Sequence, residues 1–175
     1  LNNRPASFEC QIHPPKALLR WAEFNLNKVD VEGEQMIVGV ARDVTEKRQE
    51  QALALKLARA IEQTADVVTV TDRHGVIEYV NSAYERTTGF TRQEVHGEKP
   101  SILKSGLHGP EFYKKLWDTI LQGETFHDVF INRRKDGTLY HEEKTIAPLK
   151  DTYGRITHFI ATGRDITERI QHQER

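Results

Sequence analysis

Two side chains of this 175-residue chain, Trp117 and Asn132, are of the types that could hold a small planar ligand. An indole presents a flat apolar wall, and a primary amide presents two donors and an acceptor to a polar ring edge. Strand alternation over residues 125–134 sets Asn132 on the same face as Phe126 and Phe130, so its amide is expected to point inward, where a polar group needs a partner. The same residues also suit a plainer arrangement, a core tryptophan on a helix stripe and an asparagine closing the end of a strand. Both arrangements stay open on residue types alone.

Other reactive side chains are scattered. Of the eight histidines, His108 stands just before a long helical pattern, where it could serve as an axial haem ligand or simply fill the loop beside Gly109-Pro110. His127, His141 and His158 fall on three successive strand patterns without an i, i+2 or i, i+4 pair, so no metal site is expected. The basic run Arg133-Arg134-Lys135 suits either a phosphate group or a charged hairpin end. There is no GxSxG, P-loop, GxGxxG or HExxH motif, and His141-Glu142-Glu143 lies in a strand pattern. No catalytic residue and no enzyme activity are therefore expected within this chain.

The 25 basic and 26 acidic residues leave a formal net charge of -1, which gives no global field for nucleic acid or an anionic membrane. A hydrophobic fraction of 37% with 29% charged residues suits a soluble protein, and no apolar run approaches the ~20 residues a bilayer span needs. The single cysteine, Cys10, has no partner for an internal disulfide, which fits a reducing compartment such as the cytoplasm. The chain starts at Leu1 without methionine, and a piece of a longer protein is the expectation.

The elements that must position these residues are announced by a repeat. RDVTEKRQE at residues 42–50 returns as RDITERIQH at 164–172, and each copy is preceded by strand, glycine turn and strand. After the first copy, TEKRQEQALALKLARAIEQTAD is a glycine-free run of helix formers, with Thr45 as the expected N-cap and Leu53, Leu57, Ala60 and Thr64 along one side. VVTVTDRHGVIEYVN then reads as a hairpin, followed by short helices opening at Ser82 and Thr91 and a longer one opening at Pro110, whose stripe holds Phe112, Leu116 and Ile120. Three further strands, about 125–134, 139–149 and 156–166, complete the order β-β-α-α-α-β-β-β, an α+β arrangement of one antiparallel sheet with helices on one face.

That order, with Asn81 after the second strand and the segments TTGFTRQEVHG, NRRKDGTLY and GRDITE, makes residues 65–168 resemble a PAS domain with its C-terminal PAC segment. The resemblance implies a PAS fold: a five-stranded antiparallel sheet with short helices packed on one face. It divides the chain into the three C-terminal strands of a preceding, incomplete PAS domain at 1–44, a linker helix at 45–64, a complete PAS/PAC domain at 65–167, and the start of an exit signalling helix at 168–175.

Within that superfamily KPSILKSG, FYKKLW and INRRKDGTLYHEE are similar to the flavin-binding redox sensors of nitrogen-fixation and methane-oxidation regulation. In those sensors a tryptophan on the long helix packs against the isoalloxazine ring, and an asparagine at the end of the next strand bonds its polar edge. Trp117 and Asn132 stand at the matching positions, Phe126 replaces a strand tryptophan, and Pro100 replaces an acidic flavin contact. FAD is thus the implied cofactor. Light-sensing relatives carry an adduct-forming cysteine in the segment equivalent to 97–103, and GEKPSIL has none, which excludes that photochemistry.

The resemblance further implies a cytoplasmic redox-sensing module of a bacterial multidomain signalling protein of the two-component kind. Its partners would be a second copy, paired through PAS and linker helices, and a covalently linked output domain, a histidine kinase or a cyclic-dinucleotide enzyme. Asp43 and Thr45 at the first junction, and Asp165 and Thr167 at the second, would carry the signal. A cofactor-free PAS domain acting in dimerisation and relay is the alternative.

Overall fold

A computed structural model describes residues 6–13 and 19–173. Residues 1–5 and 14–18 of the expected N-terminal remnant, and 174–175 of the exit helix, lie outside the described residues. The chain forms two compact units, Leu1–Ala58 and Arg59–Arg175.

In the first unit β1 (Ala6–Ile12), β2 (Arg20–Val31) and β3 (Glu34–Asp43) pair antiparallel in that order. Glu32 and Gly33 both take positive φ, 55° and 88°, which matches the twist of a two-residue hairpin turn. The helix former run begins at once after β3 as α1 (Thr45–Gln63), which has no buried residue, and the expected seam residues Leu53 and Leu57 are exposed.

The second unit contains a five-stranded antiparallel sheet in the order β5-β4-β8-β7-β6, formed by β4 (Val67–Asp72), β5 (Ile77–Val80), β6 (Phe126–Arg133), β7 (Leu139–Lys150) and β8 (Ile156–Asp165). Its helices are α2 (Ser82–Thr88), α3 (Arg92–Val95), α4 (Pro110–Leu121) and α5 (Thr167–Gln173), with a 3-10 turn at Pro100–Leu103. The fold is thus the α+β arrangement expected from the sequence. One detail differs: the N-cap of α2 is Asn81 rather than Ser82, because the Asn81 side-chain oxygen accepts the Tyr84 N–H. Thr91 and Glu94 do form the capping box that opens α3.

Packing divides the core in two. Val67, Ile77, Val80, Tyr84, Val95 and Leu103 form one cluster, and Leu116 and Ile120 of α4 meet Phe126, Phe130 and Phe159 of the sheet in the other. Truncating a residue such as Ile120 to alanine would cost about 2–5 kcal/mol. On β4 the alternation turns Thr69 and Thr71 inward and leaves Val68 and Val70 only partly buried. Hydroxyl-bearing residues facing inward imply that this part of the interior is not wholly apolar. Among the described residues no helix is long and apolar enough to cross a membrane.

Candidate functional site

Between α4 and the sheet lies a cavity of about 350 Å³, within the usual range for small-molecule sites. Leu103, Leu116, Ile120, Phe130, Ile146 and Phe159 supply apolar wall, and Thr69, Thr71, Asn132 and Lys144 supply polar groups. Trp117 lies on the lining and is 39% exposed, with its ring edge-to-face on Phe159 at 6.0 Å. A large aromatic left half open at the side of a cavity is available to cover a ring. Gly75, at φ 78°, lets the indole close over the β4–β5 turn, where a Cβ would meet the ring at 2.9 Å.

Asn132 sits at the end of β6, 4% exposed, in the inward position its strand alternation dictates. The segment after the 3-10 turn is stitched onto that end. Lys104 bridges Asn132, Arg133 Nη2 donates to Ser105 O at 2.8 Å, Ser105 Oγ donates to Ile131 O, and Ile131 N donates to His108 Nε2 at 2.8 Å. The last bond occupies the nitrogen lone pair that an axial haem ligand would need, so His108 is a structural residue rather than a haem candidate.

Behind Asn132 stands a buried polar group that sequence reasoning did not single out. Asn132 Nδ2 donates to Glu142 Oε2 at 2.8 Å, and the same oxygen pairs with Lys144 Nζ at 2.8 Å. Glu142 is fully buried and its Oε1 has no hydrogen-bond partner; it packs where a Cβ at residue 163 would stand, so a side chain there requires Glu142 to move. Burial, and then the Glu142 charge, push the hydroxyls of Tyr84 and Tyr140 well above the ordinary tyrosine range. Two signals could have revealed the group. Tyr140, Glu142, Lys144 and Ile146 share one face of an alternating strand, and Gly163 interrupts β8.

Phe126, expected to touch the ligand with Trp117 and Asn132, is buried but is not among the residues lining the cavity. It shares the inward face of Asn132, yet lies six positions back along β6 and packs edge-to-face on Phe112 at 5.8 Å and on Phe130 at 6.1 Å. Its place is behind Phe130, which does face the cavity. Pro100 lines the cavity, on the 3-10 turn. The basic run is occupied by protein partners: Arg134 bonds Thr87 O and Asp165, and Lys135 bonds Glu94.

The four expected transmission residues build two matching junctions. At the second, Thr167 Oγ1 accepts the His141 N–H at 2.9 Å, His141 O accepts the Ile166 N–H at 2.9 Å, and Asp165 Oδ1 accepts both the N–H and the hydroxyl of Thr167. Burial alone would raise the Asp165 carboxyl, but the Thr167 bonds and Arg134, at 2.5 Å, hold it below its usual value. At the first, Thr45 Oγ1 accepts the Trp21 N–H at 2.8 Å and Asp43 Oδ1 accepts the Thr45 N–H at 3.0 Å. The threonine hydroxyl is therefore bound to the neighbouring strand, and the expected capping role of Thr45 passes to Asp43.

Entry to the second unit is fixed as well. Asn81 is fully buried and satisfied: Nδ2 donates to Ile61 O and Asp66 O, and Oδ1 accepts from the Val68 and Tyr84 N–H groups. Glu62, in the last turn of α1, accepts from Tyr79 and from the N–H and hydroxyl of Ser82, which lowers its pKa to about 2. Burial, together with Glu62, raises the Tyr79 hydroxyl to about 12.

The family profile of the PAS fold matches residues 55–166. The chain belongs to the PAS family. It is a PAS sensory domain, of a family of generally non-catalytic sensor modules. It is 33% identical over 107 residues to a nitrogen fixation regulatory protein of Klebsiella oxytoca, an alignment covering 61% of this chain and 22% of that protein. To the hybrid signal transduction histidine kinase L of Dictyostelium discoideum it is 31% identical over 119 residues, 68% of this chain and 7% of the kinase. The PAS chain therefore spans a minor part of these relatives. Among solved structures, an RNA-binding light-oxygen-voltage receptor superposes with a TM-score of 0.63 at 18% identity, over 98% of this chain and 80% of that one, a likeness of fold.

Proposed function

We propose that the second unit is a redox-sensing PAS module that binds FAD in the cavity beneath α4 and relays its state through Asp165-Ile166-Thr167 into α5. The observation that carries this reading is one cavity with a half-exposed indole, Trp117, on its lining and a buried amide, Asn132, at the end of β6. These residues fit a flavin. Trp117 would cover the ring face, and Asn132, whose Nδ2 is taken by Glu142, keeps its carbonyl oxygen to accept an N–H from the ring edge. Phe126 would act at one remove by seating Phe130. When bound, the flavin supplies reversible two-electron chemistry.

Relay rests on a short path. Arg134 follows Asn132 by two residues, one past the end of β6, and grips Asp165, whose carboxylate caps Thr167. Asn132 must hydrogen-bond differently in the two ligand states, since only a differential interaction moves a conformational equilibrium. Asp43 and Thr45 would serve the first junction in the same way. The resemblance to bacterial redox sensors supports a cytoplasmic protein with a covalently attached histidine kinase or cyclic-dinucleotide output domain, and the exposed Leu53 and Leu57 of α1 support pairing of two copies along that helix.

Absorption spectroscopy of the purified protein, reconstituted with FAD, tests the reading. A structured flavin band that is lost in Trp117→Ala/Asn132→Ala is expected. A folded wild-type protein that takes up no flavin would overturn it and favour the cofactor-free relay.

A further inference from the structure

We infer that Lys144 is a ligand-binding cation of the cavity, reading the carbonyl-bearing edge of a planar heterocycle beside Asn132, with Glu142 as the group that holds it in place. The inference rests on the flavin reading for its choice of probe.

Lys144 is 8% exposed and lines the cavity, yet among the described residues its only acceptor is Glu142 Oε2. An ammonium has three N–H donors. The Phe130 ring, with its centroid 5.3 Å from Nζ, offers one further side a cation–π contact, which leaves donor capacity toward the cavity. A buried donor without an acceptor is costly, so this position favours an occupant that brings one. Glu142 Oε2 also takes Asn132 Nδ2, which leaves the asparagine carbonyl free. A fixed donor and a fixed acceptor thus lie side by side, bound to one carboxylate oxygen. Their complement is a ring edge carrying a C=O next to an N–H.

The chain contains its own control. In the β2–β3 pair Ala22 faces Asp43 and Phe24 faces Ala41; in the β7–β8 pair Glu142 faces Asp165 and Lys144 faces Gly163. At equivalent register positions one sheet carries Ala22, Phe24 and Ala41, and the other carries Glu142, Lys144 and Gly163. Strand pairing and the junction form equally in both, so neither requires the ion pair. A buried pair is in any case a poor source of stability, because desolvation offsets its attraction. Lys144 and Asn132 both line the cavity beneath α4, which points to binding.

The test is equilibrium binding of FAD and of riboflavin to the full chain, followed by flavin fluorescence. It compares wild type with Lys144→Arg, Lys144→Met and the double variant Glu142→Gln/Lys144→Met, which removes both charges together and keeps an acceptor for Asn132. Wild type is expected to bind the two flavins within about threefold of each other, because recognition lies at the ring edge. The double variant, with a cooperative melt and wild-type circular dichroism, is expected to lose at least tenfold in affinity for both, and Lys144→Arg to retain most of it. Full affinity in the folded double variant makes the pair structural only and overturns the inference while leaving the flavin reading intact. Binding of FAD but not riboflavin places recognition in the tail and also overturns it. If wild type binds neither flavin, the flavin reading falls, and the inference with it.

Discussion

At the first junction Thr45 accepts the Trp21 N–H at 2.8 Å, and at the second Thr167 accepts the His141 N–H at 2.9 Å, each with an aspartate two residues earlier capping the helix start. Their surroundings differ. Asp43 is paired with Arg20 in the open, with side chains 47% and 55% exposed, whereas Asp165 is paired with Arg134 at 29% and 25%. Beside the first junction the sheet carries Ala22, Phe24 and Ala41; beside the second it carries Glu142, Lys144 and Gly163. The shared part is a way to end a sheet and start a helix. The part that differs lies beside the cavity beneath α4, where a ligand would act.

Lys144→Met strikes the second sheet where it differs most from the first. Removing one member of a buried pair leaves the Glu142 charge uncompensated and is expected to cost about 3–5 kcal/mol in denaturant unfolding. Writing the first sheet into the second, as Glu142→Ala/Lys144→Phe/Gly163→Ala, is expected to recover most of that loss and to abolish ligand binding; a triple variant as unstable as the single one would show that the two sheets are not equivalent. Next in size is Gly163→Ala alone. A methyl there collides with the Glu142 carboxylate, for an expected loss of about 1–3 kcal/mol. The reciprocal change, Ala41→Gly, gives no collision and is expected to cost no more than ~1 kcal/mol, from chain entropy.

Smaller effects lie at the entry and the clamps. Glu62 has a folded pKa of about 2 against an ordinary 4.5, so its contribution to stability is fully present above pH 4.5 and is lost as pH falls toward 2. Glu62→Gln should therefore flatten the acid limb of a stability-versus-pH curve between those values, and an unchanged limb would remove Glu62 from the entry clamp. Smallest is the arginine pair. Arg134→Ala is expected to cost about 1 kcal/mol, because its partner is partly shielded, whereas Arg20→Ala should leave the melting curve where it was.

The order of strands and helices was legible because each boundary carries local chemistry: Thr91 with Glu94, Pro110, the positive-φ glycines, and the alternation of β6 that turned Asn132 inward. Position along a strand was less legible. Phe126 was expected at the ligand because it stands where the resembled sensors carry a strand tryptophan; alternation gives a face but not a depth, and Phe126 packs edge-to-face on Phe130 without lining the cavity. Charge misled in β7, where Glu142 and Lys144 look like solvent-facing residues until they are paired with each other across one buried face. Thr69 and Thr71 escaped notice for a related reason: valines beside them are the stronger core formers, and only a polar cavity makes the threonines the inward residues.

Hydrogen–deuterium exchange on the full chain, with and without saturating FAD, tests the central claim most directly. Added protection is expected at the amides of Asn132 and Lys144, with a change at Ile166 and Thr167 and none at the matching amides of Val44 and Thr45. Protection confined to the first junction, or a flavin-loaded protein whose second junction exchanges as before, would contradict it.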